Sequence, residues 1–163
     1  MTAQTRVKIN NIKQFVLLTI FLTLGFVGCS SNRVNEYSVE QFTNDMRSKK
    51  YDFVLKDVEK DFLPTTRKRL IFGTEAIEIY IYKSSKSMEK DSKRIDSNGC
   101  GYSNGFKSVY VSWIYNVYFY KKGNIIVQYT GENEKIISDL RDILGEQFAG
   151  HRTQNNEANK PLE

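Results

Sequence analysis

The run SVYVSWIYNVYFYKKGNIIVQYT, from Ser108 to Thr130, restricts the fold more than any other part of this 163-residue chain. Val109, Val111 and Trp113 alternate with Tyr110, Ser112 and Ile114, and Val117 and Phe119 alternate with Tyr118 and Tyr120. A period of two is the signature of a strand whose two faces are filled differently. The segment KKGN then turns the chain, because Gly123 and Asn124 tolerate positive φ. Ile125, Val127 and Tyr129 resume the alternation on a returning strand. A chain carrying this hairpin must build antiparallel sheet, and its remaining apolar residues must cover that sheet.

The other segments supply strands and covers. SVEQ, Ser38 to Gln41, reads as a capping box opening a helix that runs to about Lys49, with Val39, Phe42 and Met46 on one face. Phe53 and Leu55 oppose Val54, Lys56 and Val58 on a strand, and Pro64 holds the next segment to a strand end or sheet edge. RLIFGTEAIEIYIY reads as two strands joined at Gly73-Thr74, with Ile77, Ile79 and Ile81 facing away from Glu78, Tyr80 and Tyr82. SSKSMEKDSKRI is a polar helix anchored shallowly by Met88 and Ile95, and DSNGCGYSNG is loop. In NEKIISDLRDILGEQF, Ile136, Ile137, Leu140, Ile143 and Leu144 form a helical stripe. Asn133 is its N-cap, Glu132 and Glu134 suit the start of the helix dipole, and Gly145 ends it. The expected class is α+β: an antiparallel sheet with helices packed mainly on one face, an open sandwich formed by a single domain over 38–149.

The N-terminus reads as an address. Residues 1–13 carry Arg6, Lys8 and Lys13 and no acid; residues 15–28 carry no charge. A basic start, a short apolar run and a small residue at the cut site make a cleaved signal peptide over 1–28. Its fourteen apolar-run residues fall short of the roughly 20 that a membrane-spanning helix needs. Phe26-Val27-Gly28-Cys29 resembles the lipobox of bacterial lipoproteins, with Phe26 where leucine is usual. The resemblance implies cleavage after Gly28 and a diacylglycerol cysteine at Cys29, whose two palmitate-like chains act as a membrane anchor. Two chains hold stably where one is marginal. Residues 29–37 then form a short tether. Ser30 and the Asn/Lys/Ile-rich composition resemble low-GC Gram-positive proteins, which implies the outer face of the cytoplasmic membrane.

From Ile79 to Gly150 the chain resembles a group of small bacterial lipoproteins and secreted proteins of unassigned function. Met88-Glu89-Lys90, Val111-Ser112-Trp113, Phe119 to Val127, Tyr129, Gly131 and Ile143 to Gly150 carry the likeness. Relatives carry Pro-Pro-His after the tryptophan, whereas this chain has IYNVY, Ile114 to Tyr118. The resemblance implies a place in the cell envelope and a fold, and it brings no activity.

Charge and chemistry narrow the function classes. The chain has 24 basic and 19 acidic residues, and removing the three signal-peptide bases leaves 21 against 19. A nucleic-acid binder needs a clearly basic domain, so none is expected. The cluster RKR, Arg67 to Arg69, reads either as a solvated loop or as a local attraction for an anionic wall polymer. The only histidine, His151, opens the polar stretch 150–163, read as a disordered tail unable to fix a catalytic base. No metal set, phosphate loop or dinucleotide fingerprint is present, so no cofactor and no metal are expected. Asp57/Glu59 and Glu132/Glu134 read as surface carboxylates, and Cys100 as an unpaired loop thiol.

Five tyrosines are the candidate ligand residues: Tyr80, Tyr82, Tyr110, Tyr118 and Tyr120, all in expected strands. With helices over the aliphatic face alone, the other face offers flat rings with polar tips, suited to sugars, peptides or a partner protein. The plainer reading is that tyrosine packs well across strands. The expected function is a lipid-anchored, extracytoplasmic, non-enzymatic binding or interaction domain for a wall polymer or envelope protein. The alternatives are an envelope hydrolase using paired carboxylates, or a regulatory or structural subunit of an envelope complex.

Overall fold

A backbone N–H without a partner sets where the first helix begins. The structure, a computed structural model, describes residues 36–152. The expected signal peptide, Gly28, Cys29, the tether through residue 35 and the tail from residue 153 lie outside the described residues. Helix α1 spans Val39–Ser48, and the Ser38 N–H donates to Gln41 Oε1 at 2.8 Å, the reach-back half of the capping box. The Ser38 hydroxyl donates instead to Glu40. Strands β1 (Val54–Val58), β2 (Thr66–Phe72) and β3 (Glu75–Ile81) follow, then α2 (Ser85–Ser92). A small hairpin comes next, β4 (Gly101–Ser103) with β5 (Ser108–Tyr110). Strands β6 (Val117–Lys122) and β7 (Ile125–Thr130), helix α3 (Glu134–Leu144) and β8 (Ala149–Gly150) complete the order.

Six strands form one sheet in the order β1-β2-β3-β7-β6-β8, antiparallel at every pairing. The architecture is α+β, with α1 and α3 on one face. There Val39, Phe42 and Met46 of α1 and the whole α3 stripe meet Leu70, Ile77, Ile79 and Val127. Each buried aliphatic of α3 contributes roughly 1.5–3 kcal/mol before entropy. Asn133 caps α3, its side chain accepting from the Lys135 and Ile136 N–H groups.

The second face is covered as well, by loop, α2 and the small hairpin. Phe62 and Leu63, from the segment between β1 and β2, pack with Met88, Ile95 and Tyr102 over Tyr80, Phe119 and Ile126. The Phe62 ring meets Tyr102, Trp113 and Phe119 with centroids 5.6–6.2 Å apart. Those rings are too large an apolar area to leave in water, so loop and hairpin fold down over them.

The long alternating run does not form one strand. The chain pairs at Ser108–Tyr110, leaves the ladder for residues 111–116, and joins the main sheet at Val117. Val111 N–H donates to Cys100 C=O and Gly131 N–H to Asn116 C=O, which pin both ends of this excursion. The far edge also differs from expectation. Gly150 is paired with Tyr118 in β8, and the His151 N–H donates to Val117 C=O at 2.7 Å. The polar stretch therefore starts with backbone already committed to the sheet.

The edges carry little invitation to pair further. Strand β1 exposes Lys56 and Asp57, and β8 is two residues long. The chain enters the domain beside the β6–β7 turn. Asn124 N–H donates to Tyr37 C=O, Ser85 N–H donates to Glu36 Oε1 at 2.8 Å, and Tyr37 OH donates to Asp45 at 2.7 Å. Gly123, at φ 55°, sits so close that a Cβ would collide with the Tyr37 carbonyl.

Candidate functional site

Polar residues at alternate positions of a strand share a face, and three neighbouring strands here stack such residues into one row. Arg69 of β2 pairs across to Glu78 of β3, which pairs across to Gln128 of β7. Arg67, two positions before Arg69, points to the same side and is 8% exposed. The row forms the floor of a cleft of about 530 Å³, toward the Gly73-Thr74 end of the sheet. Residues 111–116 form its wall through Trp113 and Tyr115. The size falls within the roughly 300–1,000 Å³ of small-ligand sites.

The polar groups of the floor are tied to one another. Arg67 Nε donates to Glu59 C=O at 2.7 Å, and its Nη1 pairs with Asp61 and lies 3.3 Å from Glu78 Oε2. Arg69 Nε pairs with Glu78 Oε1. The Tyr80 hydroxyl lies 2.9 Å from Asp61 Oδ1 and 3.0 Å from Gln128 Oε1, and Gln128 Nε2 donates to Thr130 Oγ1. Glu78 Oε2 is buried and receives no hydrogen bond; its only compensation is the Arg67 charge. Burial pushes the Glu78 carboxyl above its ordinary pKa, and Arg67 and Arg69 pull against that without cancelling it. Burial and the Asp61 carboxylate push Tyr80 far above the range of any physiological titration.

The wall is fixed on one side and open on the other. Trp113 donates its indole N–H to Gly99 C=O at 2.9 Å and meets the Phe62 ring edge-on at 5.8 Å. Its neighbours Ile114 and Tyr115 are 91% and 57% exposed. Trp113 and Tyr115 also line a second cleft of about 520 Å³ with Cys100, Asn116, His151 and Arg152. His151 is not loose there: its ring meets Tyr118 edge-on at 6.0 Å. The Cys100 thiol is half-buried and donates weakly to Asn98 C=O at 3.7 Å.

The five expected tyrosines do not form a surface. Tyr80 and Tyr82 are buried on the Phe62 face, and Tyr118 and Tyr120 are buried on the α1/α3 face. The two pairs point to opposite sides of the sheet, because the register sets Tyr80 beside Ile126 and Tyr120 beside Val127, neighbours in β7 that face opposite ways. Tyr120 is pushed up to about 12 by burial, as befits a core group. Only Tyr110, at 77%, is exposed among the five, and it stands on the separate β4–β5 hairpin. RKR is strand, not loop, and Arg67 is its buried member. The sequence signal for the cleft was Arg67 and Arg69, two places apart in TRKRL and so on one face of the strand, with the glutamate inside the isoleucine run of β3.

Among the described residues no group of three or more His, Cys, Asp or Glu is placed to hold a metal ion, and no helix is long and apolar enough to cross a membrane. No protein-family model matches the chain, and no curated protein or solved structure matches it.

Proposed function

We propose that this chain is a lipid-anchored, non-enzymatic binding domain of the bacterial cell envelope, held at the outer face of the cytoplasmic membrane by Cys29. The Arg67/Arg69/Glu78 cleft is its ligand site. The observation that carries the reading is the placement of the two ends. The chain enters at Glu36–Tyr37 beside the β6–β7 turn, while the cleft lies toward the other end of the same strands. Strand β7, with six residues, separates them by roughly 17 Å at about 3.4 Å per residue. Residues 29–35 reach at most about 25 Å when extended. An anchor at Cys29 would tether the chain at its entry end, with the cleft at the other end of the same strands. The lipobox resemblance supplies the anchor, and the paired state of the carboxylates favours binding over acid–base work.

Fractionation of producing cells tests this. Wild-type protein is expected in the membrane fraction, released by detergent and not by high salt. The Cys29→Ser variant is expected to lose processing at Gly28. Equal processing and equal distribution of the two would overturn the reading.

A second reading has one observation in its favour. Glu78 holds its proton more tightly than an ordinary carboxyl and shares Arg67 with Asp61. A carboxyl that holds its proton tightly is what a hydrolase's general acid requires. Under this reading Glu78→Gln abolishes cleavage of wall polysaccharide by the wild-type protein; under the first there is no cleavage to abolish.

A further inference from the structure

We propose that the cleft takes a neutral, hydroxyl-rich sugar segment, stacked against Trp113 and Tyr115 and hydrogen-bonded by Arg69, Asp61 and Gln128. The inference rests on the cleft being the ligand site. Three observations carry it.

The floor has its charges already balanced. Arg67 is shared by Asp61 and Glu78, and Arg69 is held by Glu78. Glu75, at the rim, accepts from Tyr129 OH at 3.0 Å. An anionic ligand entering here would find both arginines already paired, would meet the Glu75 and Glu132 carboxylates at the rim, and would lose its hydration. A neutral ligand carries no such cost.

The floor also offers donors and acceptors side by side. The Arg69 guanidinium has N–H groups beyond the Nε used on Glu78, and its side chain is 40% exposed. The Asp61 carboxylate, its side chain 46% exposed, is the acceptor on the cleft lining, and Gln128 Nε2 has a second hydrogen beyond the one given to Thr130. Each sugar hydroxyl both donates and accepts, so adjacent hydroxyls match this alternation. An aliphatic or purely anionic ligand does not.

The wall is aromatic. A sugar ring presents C–H bonds on its faces and hydroxyls at its edge, so it lies flat on an aromatic ring while its edge reaches polar groups. Trp113 is orientated in advance by its bond to Gly99 C=O, which reduces the ordering cost of binding.

Calorimetric titration of the full-length chain in detergent micelles tests the inference, with chitotetraose and cellotetraose as the sugar probes and trilysine as the charged comparison. At least one sugar is expected to bind saturably. Tyr115→Ala and Arg69→Met are each expected to weaken it about tenfold or more. Tyr115 is mostly exposed, so its removal leaves the fold intact should Trp113→Ala fail to fold. Binding of neither sugar, or binding indifferent to both substitutions, overturns the inference. Trilysine binding that Glu78→Gln removes, with no sugar bound, overturns the sugar class while leaving the cleft a ligand site. Sugar binding accompanied by cleaved products upholds the ligand class and overturns the non-enzymatic reading.

Discussion

Arg67 and Glu78 face each other diagonally across β2 and β3, Nη1 to Oε2 at 3.3 Å, with both side chains largely out of water. Neither is solvated well enough to stand alone, so each depends on the network. Arg67→Met removes the cation shared by Asp61 and Glu78; one-sided loss of a fully buried pair costs about 3–5 kcal/mol, and the loss here is expected below that because Asp61 is 46% exposed and Glu78 keeps Arg69. Glu78→Gln is milder, because Arg67 keeps Asp61 and the Glu59 carbonyl and because burial already disfavours the Glu78 anion. Urea unfolding of both variants checks the order. Equal losses would show that the two carboxylates are not coupled through Arg67.

The same glutamate gives a pH dependence of defined sign. A carboxyl whose folded pKa is raised above its ordinary 4.5 keeps its proton longer in the folded state, so stability declines as pH rises from 4.5 through the folded value. The Glu78→Gln variant lacks that decline. Its stability relative to wild type is therefore expected to improve as pH rises through this window, read as urea midpoints across the acid range.

Asp139 behaves in the opposite way. Burial alone would raise its carboxyl, but Lys135, Tyr51 and Lys49 converge on it at 2.6–3.1 Å and hold it below its ordinary 3.8. A depressed folded value contributes stability that is present above the unfolded value and is lost as pH falls through the folded one. Asp139→Asn is expected to flatten the acid limb of the stability profile below about pH 4. An unchanged acid limb would remove the three-partner explanation.

Tyr37 and Gly123 report on how the entry segment is held. Gly73 and Gly123 have similar φ, 58° and 55°, but Gly73 has open space around it and Gly123 lies against Tyr37. Gly73→Ala carries the left-handed backbone cost alone, about 1–2 kcal/mol. Gly123→Ala carries that cost and must also displace Tyr37, so its urea midpoint is expected to fall further. The reverse order would mean that the entry segment is not docked on the β6–β7 turn.

Local patterns reveal what is decided locally. The β6–β7 hairpin, the α3 stripe with its Asn133 cap and the Gly73-Thr74 turn were legible because period, cap and turn residues lie within a few positions of one another. The burial of Tyr80 was not, since its hydroxyl partners Asp61 and Gln128 lie 19 and 48 residues away. Nor was the excursion at 111–116: the alternation continues through Trp113, but the pairing stops where Phe62 draws Trp113 into its cluster. The cleft arises from registers between β2, β3 and β7, and a register is a relation between strands that no single strand displays.

Helix α3 is expected to be needed for folding. Leu140 is fully buried between the helix and the sheet, and Leu140→Ala removes packing worth about 2–5 kcal/mol. Loss of cooperative unfolding, or a large drop in the urea midpoint, is the expected result. A midpoint near wild type would mean that α3 packs loosely.

The mass of the N-terminal peptide of the mature protein, extracted from bacterial membranes, is the most direct test of the proposed lipid anchor. A peptide beginning at Cys29 and carrying a thioether-linked diacylglyceryl group is the expected result. A peptide with a free Cys29 thiol, or one cut elsewhere, would contradict the anchor.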